Sequence, residues 1–517
     1  MKSLAKNGIL MMGAQLLTAI LGFANRRLFL TFLSIEFLGY ESIFSNVLSL
    51  LSVADIGMET VIVSKMYKAV VVNDTEEICK LLYIFKWFYR GVSLFVLVAA
   101  IAITPLLPLI IQDATASWNY LYVVYFMQVV AIVFGYFLSY RRALFIADQK
   151  GGICSVCDVI GKLSTQIVQL MVLMVAPNYI LYLFCKLCTA PISNLMLRGI
   201  CLRKYPYTKE KIRARKEDIS KFDLYGESKN YLIHKICSLV FNATDTIIIS
   251  IFCGIVAVAQ YGNYYTLFMT VSAILITAPF NALQAAVGNH LQKYCSNDEK
   301  QKIIDAFFLM SGIFAIQIAL GFSLFSQSAI VVWLGKEYLL PLSVPILFAL
   351  ARGLVSIDYA LICYRNPIGG FYKDVRFVVA SAVGNILCSI IGAYALGIEG
   401  VLIGTIIGQL IVQYGHAKVV AEKFFAATKA IGFIIKQIVF WPLLMLAETG
   451  ICVFLLRGSL EEASLASLAI KAGVWCGFCG LNLLLFRKAS GYELVRDFFM
   501  GIVSNKINKR SHSAEEK

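Results

Sequence analysis

Residues 90–111 have the sequence RGVSLFVLVAAIAITPLLPLII, in which one charged residue precedes an almost unbroken apolar run. A helix needs about 20 largely apolar residues to cross the hydrocarbon core of a bilayer. The run is too long for a barrel strand, and lipid offers no hydrogen bonds to an open backbone. The segment therefore predicts an α-helical membrane span.

The composition of the whole chain agrees with this segment. Of the 517 residues, 59% are hydrophobic and 15% are charged, whereas soluble domains usually contain roughly 25% charged residues. The mean hydropathy is +0.76. A soluble fold has no surface that could hide so many apolar side chains, so the composition predicts an integral membrane protein.

Similar apolar segments recur along the chain and predict an all-α integral membrane protein with 14 transmembrane helices. The first span is too long for the apolar region of a signal peptide and lacks a small-residue cleavage site. The predicted spans lie at 8–30, 40–63, 90–111, 118–140, 153–176, 179–201, 230–253, 263–288, 305–332, 340–363, 376–397, 399–419, 434–456 and 465–486.

Basic residues set the predicted orientation. With the N-terminus in the cytoplasm, 35 of the 46 Lys and Arg residues fall in inner segments, and only Lys336 and Arg457 fall in outer loops. This is the pattern of the positive-inside rule, and an even number of spans returns the C-terminus to the cytoplasm. Because topology explains the net charge of +15, we expect no nucleic-acid partner.

Short motifs recur at a spacing of 224 residues. The pair Asn-Asp at 73–74 recurs at 297–298, and the pair Tyr-Arg at 140–141 recurs at 364–365. A fixed spacing is the signature of an internal repeat. It predicts two homologous six-helix bundles in the same orientation, followed by an added hairpin.

The repeat predicts five parts of the chain. These are an N-terminal six-helix bundle at 1–202, a basic cytoplasmic linker at 203–229, a C-terminal six-helix bundle at 230–430, an additional helix hairpin at 431–488, and a cytoplasmic amphipathic helix with a polar tail at 489–517. Apolar positions from Leu494 to Val503 share one helical face and favour a helix lying on the inner leaflet. Pro279 predicts a kink in the eighth span.

Glycines are frequent in the eleventh and twelfth predicted spans. Small residues let the backbones of two membrane helices approach closely. The pattern therefore predicts tight packing between these two helices. The glycines are Gly384, Gly392, Gly397, Gly400, Gly404 and Gly408.

Charged residues inside the predicted spans are the candidate site residues. Each costs about 2.5–3.5 kcal/mol on insertion scales, so it persists where it faces a cavity or a partner. Arginine suits phosphate because its planar fork donates two parallel hydrogen bonds. The candidates are Arg26, Arg27, Asp55, Glu59, Arg90, Asp158, Lys162, His234, Lys235, Asp245, Arg352 and Asp358.

Some candidates also have a purely structural interpretation. Asp158 and Lys162 are four residues apart on one helical face, so we expect them to neutralise each other. Arg26 and Arg27 could instead extend their charged groups to the outer interface. A transport site therefore does not follow from these four residues alone.

Other candidates differ in their position along the predicted spans. Asp245 lies in the middle of the seventh span, where a charge against lipid has no use. Arg141 and Arg365 follow the fourth and tenth spans. We expect these two arginines either to meet phosphates at a cytoplasmic mouth or only to obey the charge rule of the loops.

Metal and cofactor chemistry is not predicted. The cysteine pairs at 154/157, 185/188 and 476/479 have C-x-x-C spacing but no nearby histidine or carboxylate ligands. The chain also lacks the G-x-x-x-x-G-K-[ST] loop that binds nucleotide phosphates. Two helical bundles around a polar cavity are the common plan of secondary transporters.

Residues 37–90, FLGYESIFSNVLSLLSVADIGMETVIVSKMYKAVVVNDTEEICKLLYIFKWFYR, carry a family resemblance. They resemble the N-terminal region of Wzx-type polysaccharide flippases of the MOP superfamily. The similar features are Leu38-Gly39-Tyr40, the segment from Ala54 to Gly57, and the loop from Asp74 to Leu82. The resemblance covers roughly the first 150 residues, and beyond them it rests on the span count, the repeat and the hairpin.

The resemblance implies a flippase that moves undecaprenyl-pyrophosphate-linked glycan units across the bacterial cytoplasmic membrane by alternating access. Its partners would be the polyprenyl-linked glycan, the bilayer, a polysaccharide polymerase and glycosyltransferases, with H⁺ or Na⁺ as coupling ion. It implies anion-binding roles for Arg26, Arg27, Arg90, Lys235 and Arg352, and cation-coupling roles for Asp55, Asp245 and Asp358.

Three alternatives stay open. A peptidoglycan-precursor flippase also has 14 spans, whereas a MATE-like exporter of organic cations should have a more acidic cavity than this arginine content indicates. A membrane glycan polymerase or ligase usually needs a sizeable external loop, and the longest predicted outer loops have about a dozen residues. We therefore expect a transporter and not an enzyme.

Overall fold

A computed structural model describes residues 2–51, 58–209, 229–277, 297–368 and 372–493, together with positions 280, 281, 284, 287 and 496. Every regular element in these ranges is helical. Eleven of the described helices are long and apolar enough to cross a membrane. Each coincides with a predicted span, so the all-α membrane fold is confirmed.

In the described residues of its first half, the chain forms twelve helices. A 3₁₀ turn with Pro105 separates the fourth from the fifth, because proline at a helix start leaves no amide donor to continue the ladder. The helices are α1 Lys2–Phe32, α2 Ile35–Leu51, α3 Met58–Val71, α4 Thr75–Ile103, α5 Leu107–Ile110, α6 Trp118–Ser139, α7 Arg142–Ala147, α8 Gly151–Val175, α9 Tyr179–Leu187, α10 Thr189–Lys204, α11 Lys229–Cys253 and α12 Ile255–Ser272.

The second half is described as seven helices. Single π-helical turns follow α12 at Ala273–Thr277 and precede the hairpin at Lys436–Phe440. Pro279 and the apolar face from Leu494 to Val503 lie outside the described residues. The helices are α13 Asn297–Trp333, α14 Ser343–Arg365, α15 Val375–Leu396, α16 Ile398–Phe424, α17 Ala427–Ile435, α18 Trp441–Leu455 and α19 Leu465–Leu485.

Helix starts repeat with nearly the same spacing as the sequence motifs. Helix α6 begins at Trp118 and α14 at Ser343, 225 positions later. Helix α8 begins at Gly151 and α15 at Val375, 224 positions later. Equivalent places in the two halves can therefore be compared directly.

The chain forms two compact units, Met1–Gly262 and Asn263–Lys517. In the first unit, α11 packs against α2 and α5. The Ser250 hydroxyl donates to the carbonyl of Ile110 at 2.7 Å, and the amide of Ile255 donates to Asp113 at 3.3 Å. Helix α11, which the sequence places at the start of the second bundle, thus packs within the first unit.

Buried amide side chains join α1 to α8. The Asn25 Nδ2 donates to the carbonyl of Gln166 at 3.0 Å, and the Gln166 Nε2 donates to the carbonyl of Thr18 at 3.1 Å. A buried polar group that is hydrogen-bonded across two helices fixes their register. These bonds hold the segment of α1 that carries Arg26.

Glycines bring α15 and α16 together in the second unit. A Cβ atom on Gly400 would lie 1.9 Å from the carbonyl oxygen of Gly392, and one on Gly404 would lie 2.3 Å from the hydroxyl of Ser389. Only glycine fits at such a backbone approach. The predicted tight packing of these helices is confirmed.

The C-terminal hairpin packs against α13 through aromatic and polar contacts. A Cβ atom on Gly312 would lie within 2.3 Å of the Trp441 ring, and the Trp475 Nε1 donates to the carbonyl of Gln317 at 3.0 Å. Lys471 is fully buried and donates to the Ser328 hydroxyl at 2.5 Å and to two carbonyls of the hairpin loop at 2.9 Å. The hairpin is therefore an integral part of the second unit.

Candidate functional site

Arg352 lies inside the span formed by α14, where its charged group meets aromatic rings. Its guanidinium carbon is 5.5 Å from the ring centre of Tyr265, 5.4 Å from Phe268 and 5.2 Å from Phe348. Within the described residues it has no carboxylate partner. Cation–π contacts hold a guanidinium without using up its N–H donors. Arg352 therefore keeps its donors for an anion.

The rings around Arg352 form a wider aromatic cluster. Phe268 packs edge-on against Phe322 at 5.0 Å, and Phe322 stacks on Phe348 at 5.8 Å. Such rings provide a rigid apolar wall with little conformational entropy to lose. The cluster fixes the orientation of Arg352 and offers flat faces beside it.

Arg26 is held in the first unit by a group of polar side chains. Its Nη2 lies 3.3 Å from where a Cβ atom on Gly262 would stand, and Glu41 and Tyr182 interact with it electrostatically. Glu41 is also hydrogen-bonded to Lys186. Glu41 therefore lies close to two cations, Arg26 and Lys186.

Sequence reasoning missed Glu41 and Lys186. Glu41 stands within GYESIF and Lys186 within α9, each as a charge inside an apolar stretch. A charged residue inside an apolar stretch is the same signal that identified Arg26 as a candidate. Arg27, the next residue along α1, is exposed.

Arg90 also lies among aromatic rings in the first unit. Its guanidinium carbon is 4.8 Å from the ring centre of Trp87 and 5.0 Å from that of Phe137, and both rings are exposed. Its Nε is buried and makes no hydrogen bond within the described residues. Arg141, beyond α6, rests on the ring of Tyr140 at 4.6 Å.

Asp158 forms its salt bridge with Arg142 and not with Lys162, whose charge acts on it only as a weaker contribution. Asp158 instead accepts two hydrogen bonds from Arg142, at 2.8 and 2.5 Å, and the Arg142 Nε donates to Asn194 at 3.0 Å. Lys162 is exposed. A bidentate guanidinium fork fits a carboxylate better than a lysine one turn away on the same helix.

A pocket of about 270 Å³ adjoins this pair between α4, α6 and α10. Arg142 and Asn194 line its polar side, and the stacked rings of Tyr89 and Tyr136, 5.8 Å apart, line another. Burial raises the pKa of Tyr140 beside it, more strongly than the nearby positive charges of Arg141 and Arg198 lower it. Basic groups are thus concentrated around this end of the first unit.

Asp358 and Arg365 are linked through a histidine in the second unit. The His416 Nδ1 is 2.7 Å from the carboxylate of Asp358, and its Nε2 is 2.6 Å from the Nη1 of Arg365. The Arg365 Nε lies 3.2 Å from Asp374, whose carboxylate is also 3.5 Å from the His416 Nε2. All four side chains are at most 10% exposed. We call Asp358, Arg365, Asp374 and His416 the histidine cluster.

The sequence pointed to two members of the histidine cluster and missed the others. His416 lies near the end of a predicted span and Asp374 in a loop, where charged groups are common. The structure places both in the interior, because α14, α15 and α16 converge there. Periodicity indicates a buried face but not which distant residue lies opposite it.

The remaining candidates differ in their exposure. Asp245 is 5% exposed on α11, whereas Lys235 on the same helix is exposed. Asp55 lies outside the described residues. Glu448, a further buried acid that the sequence analysis missed, accepts a hydrogen bond from Asn482 within the hairpin at 2.9 Å.

The cysteines of the described ranges are free thiols. In the same ranges, no three His, Cys, Asp or Glu side chains come together as a metal site would require. The site residues are thus cations on aromatic rings, Arg26 with Glu41 and Lys186, and the histidine cluster. Guanidinium and ammonium groups are the side chains that bind anionic groups such as phosphates.

The model of the family described as "Polysaccharide biosynthesis protein" matches residues 4–283. A comparison with curated protein sequences gave no significant match.

Solved structures share the fold. The structure titled "Lipid II flippase MurJ, inward closed conformation" is 15% identical, with a TM-score of 0.63, covering 93% of this chain and 99% of that one. An inward-facing multidrug resistance MATE family transporter of the MOP superfamily is 11% identical, with a TM-score of 0.58 and coverages of 81% and 99%. A crystal structure of a mutant of the Vibrio cholerae MATE transporter VcmN is 14% identical, with a TM-score of 0.57 and coverages of 82% and 97%.

Proposed function

Because the chain belongs to the polysaccharide biosynthesis family of MOP-superfamily membrane flippases, we propose that it translocates undecaprenyl-pyrophosphate-linked oligosaccharide units. The units would cross the bacterial cytoplasmic membrane by ion-coupled alternating access and supply a capsule, an exopolysaccharide or an O-antigen. In this proposal the chain makes 14 membrane crossings with both termini in the cytoplasm. Its partners are glycosyltransferases that build the unit and a polymerase that uses it.

Arg352 is the observation that carries the proposal. A pyrophosphate in a low-dielectric environment needs cationic donors that are not already paired. Arg352 meets that need inside a membrane span, since its contacts within the described residues are with three rings. Flat ring faces beside the cation suit the apolar faces of sugar rings. Arg26 and Arg90 are proposed to serve the same anion in the first unit.

A peptidoglycan-precursor flippase is the second candidate. The solved lipid II flippase covers 93% of this chain, whereas the two MATE transporters cover 81% and 82%. Both flippase substrates would carry a pyrophosphate on a polyprenyl tail, so Arg352 suits either. They differ in the glycan, which the aromatic cluster around Arg352 would contact.

Replacing Arg352 by Ala tests the proposal. We expect a tenfold to hundredfold slower transport, on the order of what one charged hydrogen-bond donor contributes, while Arg352→Lys keeps the charge and recovers part of the rate. The assay follows a fluorescent polyprenyl-pyrophosphate oligosaccharide in proteoliposomes, with lipid II as a parallel probe. The faster of the two probes assigns the glycan class.

Arg376→Ala is the matched control. Arg376 also rests on an aromatic ring, at 4.8 Å from Phe377, but it is exposed at the start of α15. We expect its transport rate to stay within about twofold of the parent protein. Equal transport by the Arg352→Ala variant, present in the membrane at normal amount, would rule out Arg352 as the anion site.

A further inference from the structure

The pocket between α4, α6 and α10 has one aromatic side and one polar side. Phe85, Tyr89 and Tyr136 line the aromatic side. The ring centres of Phe85 and Tyr89 are 4.5 Å apart, and Tyr89 stacks on Tyr136 at 5.8 Å. Phe85 and Tyr89 are at most 4% exposed and belong to the core of the first unit, whereas Tyr136 is half-buried. The pocket therefore has a preformed aromatic wall, of which Tyr136 is the most accessible ring.

Arg142, Asn194 and Ser139 line the polar side of the pocket. Arg142 donates two hydrogen bonds to Asp158, at 2.8 and 2.5 Å, and its Nε donates to the Oδ1 of Asn194 at 3.0 Å. These three bonds fix the two planar side chains against each other and leave further N–H groups of the guanidinium without an acceptor in the described part of the chain. The Nδ2 of Asn194, a residue that is 5% exposed, likewise has no acceptor among the described residues. The polar side thus presents unused donors at fixed positions.

The pocket volume of about 270 Å³ suits one six-membered ring with its substituents. A cavity of about 150 Å³ holds a benzene ring, and drug-sized ligands occupy about 300–1,000 Å³. Gly135 contributes to this volume, because it lines the pocket and has no side chain. A Cβ atom on Gly135 would have its nearest neighbour, the Cβ of Ala190, at 3.8 Å, which is an ordinary contact distance. Close helix packing therefore does not require this glycine, and its effect is to leave room in the pocket.

The two sides of the pocket together argue against several ligand classes. A hydrocarbon chain would leave the donors of Arg142 and Asn194 unsatisfied. An organic cation or a phosphate needs an opposite charge that is not already paired, but Arg142 and Asp158 are bonded to each other. A sugar ring fits both sides, because the C–H groups of one face lie well on an aromatic ring while the hydroxyl groups accept from planar N–H donors.

We propose that this pocket binds one sugar residue in its pyranose form, with its apolar face on Tyr136 and its hydroxyl groups at Arg142 and Asn194. We assign that residue to the glycan of the transported unit. This assignment rests on the proposed function, whereas the sugar site itself does not. Ser139 ends α6, and in the proposed topology this end of α6 faces the cytoplasm, where a lipid-linked unit would be loaded. A free monosaccharide has the same chemistry, and the experiments separate the two sources.

Saturation-transfer NMR on the full chain in nanodiscs tests the sugar site. The probes are the methyl glycosides of glucose, galactose, mannose and N-acetylglucosamine. We expect at least one of them to bind, with the strongest saturation at the C–H protons of a single ring face, as contact with an aromatic wall requires. Binding of none of the four, or binding that the pocket variants leave unchanged, would overturn the proposal.

Two pairs of variants locate the bound glycoside. Gly135→Val takes up room in the pocket, and we expect it to weaken binding by about tenfold or more. Gly199→Val is the matched control, because Gly199 is exposed on α10 and a Cβ atom there would have no neighbour within 4 Å. We expect Tyr136→Leu to weaken binding by about tenfold and Tyr136→Phe to stay within about twofold, since phenylalanine keeps the ring. Equal losses from the two glycine variants would mean a general disturbance of the bundle and would remove the site.

Transport measurements separate the sugar site from the proposed function. With the fluorescent oligosaccharide probe in proteoliposomes, we expect Gly135→Val to slow transport by about tenfold and Gly199→Val to leave it unchanged. A protein that binds a glycoside in this pocket but moves neither glycan probe supports the sugar site and removes the proposed function. Transport without glycoside binding leaves the function standing and removes the site. If Gly135→Val loses glycoside binding but keeps the full transport rate, the sugar comes from another source and its assignment to the transported glycan is wrong.

Discussion

Equivalent positions of the repeat carry opposite charges in the two halves of the chain. Lys150 precedes α8 in the first half, and Asp374, 224 positions later, precedes α15 in the second. Lys150 is half exposed and bonds to Asp148, another loop residue. Asp374 is fully buried and forms a salt bridge with Arg365. One position of the repeat thus carries a solvated loop contact in one half and a buried ionic contact in the other.

The larger ionic groups nearby differ in the same way. Arg142 and Asp158 form a bidentate pair that neutralises itself and remains 24% and 39% exposed. The histidine cluster is buried, with side chains that are at most 10% exposed. A closed, hydrated pair is suited to holding helices together. In a buried cluster water cannot replace a lost partner, so each contact should contribute more to stability, which the following experiments test.

The largest effect is expected for Asp374→Ala. Removing this carboxylate leaves the buried guanidinium of Arg365 with less compensation, and breaking a buried pair typically costs about 3–5 kcal/mol. We expect the free energy of unfolding to fall by about 3 kcal/mol. It can be measured by SDS titration in mixed micelles, followed by circular dichroism.

Glu422→Ala provides the reference for that measurement. Glu422 is exposed and lies 3.9 Å from Lys418 on the same helix. Exposed pairs of this kind contribute about 0.3–0.5 kcal/mol. If Asp374→Ala were no more destabilising than Glu422→Ala, the buried cluster would have no stabilising role and the contrast between the halves would disappear.

Arg142→Ala tests the first half and should have an intermediate effect. It leaves Asp158 without its partner and Asn194 without a donor, but water can reach the half-exposed carboxylate. We expect a loss of about 1–2 kcal/mol in the same unfolding assay. Arg142→Lys should recover less than half of it, because lysine cannot donate the two parallel bonds.

Two results would contradict this ranking. A loss for Arg142→Ala that equals that of Asp374→Ala would mean that exposure does not distinguish the two ionic groups. Full recovery by Arg142→Lys would mean that the charge alone is needed. Either result would mean that the ionic groups of the two halves stabilise the fold in the same way.

Much of the fold could be predicted from the sequence, because the bilayer imposes a simple rule. A segment such as 90–111 has to be helical to satisfy its backbone in lipid, whatever it packs against. The repeat was visible for a similar reason, since motifs at helix ends keep their spacing when a bundle is duplicated. The placement of α11 within the first compact unit was not visible, because it depends on side-chain contacts such as Ser250 with Ile110.

The site was predicted less well than the fold. Rules for neighbours on one helix suggested Asp158 with Lys162, but the salt-bridge partner, Arg142, is the first residue of α7 and approaches from that helix. Burial of His416 and Asp374 likewise arises from the convergence of three helices. Hydropathy identifies charged residues that lie inside predicted spans. It does not tell which of these residues contact each other in the fold.

The smallest effect concerns Asp148, the loop partner of Lys150. Burial would raise the pKa of this carboxyl, but hydrogen bonds from Lys150 and Tyr205 and the nearby charge of Lys204 outweigh it, and the pKa lies below its ordinary value of 3.8. The hydrogen bond to Asp148 in turn adds to the effect of burial in raising the pKa of Tyr205. The lowered pKa means that the folded state favours the ionised carboxylate.

The sign of the pH dependence follows from this shift. The stabilisation by Asp148 is fully present above the unfolded pKa near 3.8 and is lost as the pH falls through the lower folded value. We therefore expect Asp148→Asn to lower the free energy of unfolding by about 0.5 kcal/mol at neutral pH, since solvent screens the contact. The difference from the parent protein should shrink as the pH is lowered below about 4, and high salt should reduce it further. A difference that grows with acid would mean that the protonated carboxyl is the favoured form, and it would contradict the lowered pKa of Asp148.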